Sequence, residues 1–218
     1  MADKEPAQAR LLPEGRLINH SLFELDQYIP AKGQPGTPAY KVELAFEKDA
    51  LNDIFNACLD FAVETWGEGA DEDVIIPIID GDNLAAKREK LNKPGDAYKG
   101  MDVVRANTIF NKDGDKAPGG IQVLAPDTSE IGPANRSEVY QGCYGKAAIT
   151  FSGYTKEGTG NEPDRNAITF YLVAFQKTKD GERLVTPKDH SNLFKPVGRK
   201  PDDDTGEESS GGKRRKAG

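Results

Sequence analysis

The stretch from Tyr140 to Lys177, YQGCYGKAAITFSGYTKEGTGNEPDRNAITFYLVAFQK, decides how the chain is read. Two runs of strand-forming residues flank a polar loop that contains glycine. In a strand, alternate side chains share a face. Cys143, Ala147, Ile149 and Phe151 of the first run therefore fall together, as do Ile168, Phe170, Leu172 and Ala174 of the second. The opposite face carries Tyr144, Lys146, Thr150 and Tyr154, joined by Thr169, Tyr171, Val173 and Phe175. Aromatic rings beside a cation form a surface on which flat anionic ligands stack, and single-stranded nucleic acid has both the π-faces and the charges. The competing reading is a β-protein buried on both faces, its tyrosines large core residues with satisfied hydroxyls. Taken alone, these residues favour the second reading.

Composition narrows the field. The chain has 218 residues, enough for a real core, and its 23 glycines and 14 prolines point to many turns. No apolar run reaches the length of a membrane span, and the charged start MADKEPAQAR lacks the apolar centre of a signal peptide, so the expected location is the cytoplasm. Cys58 and Cys143 are expected as free buried thiols, and His20 and His190 lie too far from them in sequence for zinc-ligand spacing. No cofactor or metal is expected. The net charge of −7 is unevenly spread. Residues 1–83 hold 6 basic and 17 acidic side chains, a net of −11, whereas residues 84–200 hold 19 and 14, a net of +5. The aromatic strands thus lie in the basic part.

Upstream, residues 1–10 are expected to be flexible. A strand of uncertain register is expected at Arg16–Leu25, followed by a Pro/Gly loop over 28–38. YKVELAF, residues 40–46, alternates with Tyr40, Val42, Leu44 and Phe46 inward and Lys41 and Glu43 outward. Leu51, Ile54, Phe55, Cys58, Leu59 and Ala62 recur at helical spacing, with Asp49 as the expected N-cap and an end near Trp66-Gly67. Pro77 makes 74–79 an edge strand or extended packing segment.

Asp80-Gly81-Asp82 brings two carboxylates together. A metal-dependent nuclease could use such a pair, but a turn with Gly81 at positive φ is the commoner meaning. Lys87, Arg88 and Lys90 lie on a short basic segment before another strand within Tyr98–Phe110, where Val103, Arg105 and Asn107 share a face. Residues 122–137 read as a loop-rich excursion, and Asp180-Gly181 as a hairpin turn. From Val197 onward charge, Gly and Ser dominate, and order is expected to fail.

In order, RLINHSLFEL, YKVELAFEKDALNDI, IIDGD, AYKGMDVVRANT, EVYQGCYGKAAITFSGY and AITFYLVAFQKTKDGERL resemble the bacteriophage single-stranded DNA-binding proteins of the OB-fold kind with an acidic C-terminal tail. The resemblance covers about residues 11–186. It implies a mainly β fold: a five-stranded OB barrel with one main helix and inserted loops, occupying 11–196 and followed by a tail over 197–218. It also implies sequence-independent binding of single-stranded DNA in phage replication and recombination, with no enzymatic activity. Strand alternation then nominates Tyr144, Lys146, Tyr154, Tyr171, Phe175, Arg105, Tyr98, Lys99, Lys87, Arg88 and Lys90 as DNA contacts. Asp202, Asp203, Asp204, Glu207 and Glu208 resemble the acidic tails that meet replication proteins such as a polymerase or helicase, and a homo-oligomer is possible. The terminal GGKRRKAG departs from that pattern, which ends acidic or aromatic. Alternatives from other classes are a strand-annealing recombination mediator, a metal-dependent nuclease through Asp80 and Asp82, and a protein-interaction module without DNA affinity.

Overall fold

Two long strands, β7 (Tyr144–Lys156) and β8 (Arg165–Lys179), pair antiparallel along almost their whole length. Their β-branched and aromatic side chains suit a pleated, half-buried surface. Around them a computed structural model describes residues 8–26, 36, 38–108, 121–158 and 163–185. The strands β2 (Gly15–Asp26), β3 (Ala39–Glu47) and β5 (Met101–Asn107) complete a ring. β2 pairs with β3, β3 with β5, β5 with β8, β8 with β7 and β7 with β2, so a five-stranded barrel closes. The β5–β8 seam is parallel and is held at Asn107 and Tyr171. This is the expected OB barrel.

Short strands decorate the ring. β1 (Arg10–Leu11) pairs with β7, so ordered pairing begins inside the stretch expected to be flexible. β4 (Ile78–Asp80) pairs with β5 after Pro77, as an edge segment should. β6 (Gln122–Leu124) runs parallel to β8, so the excursion over 122–137 contains a strand and a 3₁₀ segment, Pro133–Glu138, that were not foreseen.

The helix α1 (Asn52–Trp66) buries Ile54, Cys58 and Ala62 and leaves Phe55 exposed. Asp49 does not cap it: Asp49 sits at φ 69° in the preceding turn, and no side chain caps the helix. Asp80 instead caps α2 (Gly81–Lys90), accepting the Asn83 N–H at 2.9 Å. Gly81 is there for close approach rather than positive φ, because a Cβ would overlap the Tyr98 carbonyl oxygen.

The barrel interior holds Leu17, Leu22, Val42, Leu44, Phe46, Val104, Ala147, Ile149, Phe151, Phe170, Leu172 and Phe175, with Cys58 of α1 and Cys143 as free thiols. Burial pushes the Cys58 thiol up to about 12, which keeps it protonated. A second small core lies outside the barrel wall, where Ile18, Ala45 and Val103 meet Ala85 and Tyr98. That cover reaches β3 at Ala45 and, through Tyr98, at Glu43, so Glu43, expected to face solvent, is only 9% exposed.

Register shifts in β2 and β8 break the expected alternation. In β2 the pairing shifts between Leu17 and Asn19, so Ile18 is the extra residue and joins the second core while Leu17 stays in the barrel. In β8 the register passes from Leu172 opposite Ile149 to Ala174 opposite Ala148, so Val173 is the extra residue and is exposed. Phe175 and Lys177 therefore turn inward and Ala174 and Gln176 outward, until a further shift at Thr178 returns Lys179 to the outer face with Tyr144. The Asp180-Gly181 step makes no hairpin among the described residues; it folds onto Tyr140, whose ring carries the Arg183 guanidinium 3.8 Å from its centroid. The loop expected over 28–38 falls almost wholly outside the described residues, as does all of the tail.

Candidate nucleic-acid interface

On the outer wall, the register sets polar side chains in rows across the strands. Asn19 of β2, Glu43 of β3 and Arg105 of β5 form one row, and Ser21, Lys41, Asn107 and then Tyr171 of β8 form the next. Thr150 of β7 continues the second row opposite Tyr171. A groove of about 310 Å³ runs here, lined by Asn19, Lys41, Val42, Glu43, Arg105 and Asn107. It lies on the second and third barrel strands, the wall with which OB barrels hold oligonucleotides between the loops that join strands one to two and four to five. In this chain those loops are the connections after Asp26 and after Lys156.

Partners fix the groove side chains in place. The Asn19 amide oxygen accepts from Gln141 Nε2 at 3.2 Å and from the His20 N–H at 3.0 Å. Lys41 forms an ion pair with Asp26. Arg105 donates through Nε to Glu43 Oε2, and Tyr98 donates its hydroxyl to Glu43 Oε1 at 2.5 Å. Both groove cations thus carry an acid partner, and the groove has less free positive charge than its basic residues suggest.

The nominated residues divide into groups. Tyr154, Tyr171, Tyr144 and Lys146 do occupy the outer face of β7 and β8. Tyr171 adjoins the groove through Asn107, and Tyr154, 49% exposed, stands near the end of β7. Tyr144 lies at the other end of β7, with Lys179 Nζ 4.6 Å from its ring centroid and Gly181 against its edge. Arg105 lies in the groove. Phe175 does not belong to this surface. The Val173 bulge turns it inward, where it is 1% exposed in the barrel core. Tyr98 is likewise buried, at 3% exposure, and its ring packs under the Arg88 guanidinium 5.0 Å away. It anchors Glu43 instead of stacking on a ligand.

Lys99 is exposed but bonded to Asp96 and Glu89, both at 2.9 Å, and these two acids raise its pKa. Arg88 donates to the Pro94 carbonyl at 2.7 Å, while Lys87 and Lys90 are exposed on α2. Asp202, Asp203, Asp204, Glu207 and Glu208 lie outside the described residues.

Asn19, Lys41, Glu43 and Asn107 were not nominated. Their polar alternation was visible, but nothing local shows that β3 and β5 lie side by side.

The Asp80–Asp82 pair is committed elsewhere. Lys48 binds Asp80 at 3.1 Å and Asp102 at 2.9 Å, and Asp82 accepts the Gly100 N–H at 2.8 Å. The Asn83 N–H, then Lys48, hold the Asp80 carboxyl below its ordinary value. No group of three or more His, Cys, Asp or Glu among the described residues is placed to hold a metal ion.

A closed five-stranded barrel with a polar groove across its second and third strands, flanked by Tyr171, defines an OB-type nucleic-acid binder. Residues 16–205 match the family of the Enterobacter phage Enc34 single-stranded DNA-binding protein, and the chain belongs to that family. The fold is similar to a C-terminally truncated single-stranded DNA-binding protein of bacteriophage Enc34, with TM-score 0.50 and 22% identity over 80% of this chain and 87% of that one. It is also similar to gp2.5, a single-stranded DNA-binding protein encoded by bacteriophage T7, with TM-score 0.54 and 11% identity over 89% and 98% of the two chains. The Enc34 protein in complex with single-stranded DNA aligns at TM-score 0.48 and 21% identity, over 79% and 88%. No curated protein sequence matches.

Proposed function

We propose that the chain binds single-stranded DNA without sequence preference, in phage DNA replication and recombination in the host cytoplasm, and that the strand crosses the β3–β5 groove. The observation that carries this reading is the groove itself: Arg105, Lys41, Asn19 and Asn107 beside Tyr171 on one wall of the closed barrel. Phosphates meet Arg105 and Lys41, and unpaired bases stack on Tyr171 and, towards the end of β7, on Tyr154. Lys87 and Lys90 of α2, with Lys146 and Tyr144 of β7, extend the surface for longer strands. No chemistry on DNA is assigned. The acidic residues Asp202, Asp203, Asp204, Glu207 and Glu208 are assigned to contacts with replication proteins such as a polymerase or helicase.

Titration of fluorescent oligo-dT, with duplex of equal length as competitor, tests the reading. Single strands should bind at least tenfold more tightly, because stacking needs unpaired bases and is worth about 1–3 kcal/mol each. Two phosphates neutralised in the groove give a log–log salt slope of about −1.4. Equal affinity for both forms, or Arg105→Ala and Lys41→Ala variants that bind like the parent, would overturn the groove assignment.

A further inference from the structure

Glu43 is an acid in the floor of a groove that, on the reading just given, receives a polyanion. Simple charge repulsion makes that an odd place for a carboxylate. Its surroundings explain it. It stands in β3 directly opposite Arg105 of β5, is 9% exposed, and both of its oxygens are engaged. Oε2 accepts from Arg105 Nε, and Oε1 accepts the Tyr98 hydroxyl at 2.5 Å. Tyr98 is immobile in turn: it is buried between the barrel wall and α2, with the Arg88 guanidinium 5.0 Å from its ring centroid. Burial and then the Glu43 hydrogen bond push the Tyr98 phenol above its ordinary value, so it stays a donor throughout the physiological range.

Arg105 is held by one edge only. Its side chain is 49% exposed, and among the described residues its terminal NH groups have no partner. A guanidinium gripped through Nε presents its remaining N–H groups in a fixed plane, the geometry that binds a phosphate with two parallel hydrogen bonds.

We propose that Glu43 is a positioning residue for single-stranded DNA binding, which anchors Arg105 from below, with Tyr98 anchoring Glu43. The acid raises affinity because the ordering of Arg105 outweighs its own repulsion of the strand.

Glu43→Gln separates the two effects. The amide keeps the size of the carboxylate but removes its charge and turns an N–H towards one of the two donors. Repulsion alone predicts tighter binding. Positioning predicts oligo-dT binding weakened by about fivefold, with a salt slope shallower by about 0.7 as one phosphate contact is lost. In an Arg105→Ala background the same change should cost nothing further. Tyr98→Phe leaves every charge in place and should weaken binding in the same direction by a smaller factor, again only when Arg105 is present. If Glu43→Gln does not fold, Tyr98→Phe decides alone. Tighter or unchanged binding by Glu43→Gln, or Tyr98→Phe bound like the parent, would overturn the proposal. Loss of affinity in Arg105→Ala without loss in Glu43→Gln sinks only the positioning role; full affinity in Arg105→Ala sinks the groove reading itself.

Discussion

Phe175→Ala puts the Val173 bulge to the test. Strand alternation alone sets Phe175 on the DNA face, whereas the bulge turns it into the core, and the two placements predict opposite phenotypes. In the structure the ring is 1% exposed and covers Gly145, whose missing Cβ leaves the space that the ring fills. β8 is pinned on both sides of Phe175, by Ala147 of β7 and by Val123 of β6. The ladders resist collapse, so truncation leaves most of the ring volume empty. Buried Phe→Ala changes cost about 3–5 kcal/mol, towards the upper part of that range where collapse is prevented. In a domain of this size 1 kcal/mol moves the melting temperature by about 2–4 °C, so a loss of about 4 kcal/mol lowers it by about 8–16 °C. Melting followed by far-ultraviolet circular dichroism measures this, and oligo-dT titration well below the transition measures binding by the folded fraction. That affinity should stay within about twofold of the parent. An unchanged melting temperature with binding weakened by fivefold or more would show that Phe175 faces the DNA and that the bulge argument is wrong.

Tyr154→Ala should behave in the reverse manner: its ring is half exposed, so stability should barely change while affinity for oligo-dT falls by about 1–3 kcal/mol. Loss of fold without loss of affinity would assign Tyr154 to packing. His20 gives a pH signature. Burial lowers its pKa from 6.5, so the unfolded chain takes up the proton first; the stability is present above about pH 6.5 and is lost as the pH falls through the depressed value. Urea midpoints should drop between pH 7 and 5.5 in the parent and stay flatter in His20→Gln; parallel curves would refute it. Truncation after Lys200 removes a charge of −5 over residues 201–208 and +4 over 213–216, a net of −1. It should tighten DNA binding, most at low salt, whereas deletion of 211–218 alone should weaken it. Weaker binding after the longer truncation would make the tail a DNA contact.

Local patterns determined much of this protein. The inward faces of β7 and β3 and the apolar stripe of α1 repeat with the periods of strand and helix, and those periods need no partner to be read. The order of the segments carried the barrel and the kind of ligand. Tertiary structure decided the rest. One extra residue at Val173 reverses the face of Phe175, and nothing local marks it, because a bulge is stabilised by the strands on either side. Glu43 and Tyr98 were misassigned for a related reason. Alternation shows that a residue leaves the barrel interior, but not that α2 and the 3₁₀ turn at Asp96–Tyr98 cover the outer wall there. The groove emerged only when closure set β3 beside β5 and β5 beside β8. Lys41, Arg105, Asn107 and Tyr171 are up to 130 positions apart in the chain and become neighbours through backbone pairing alone.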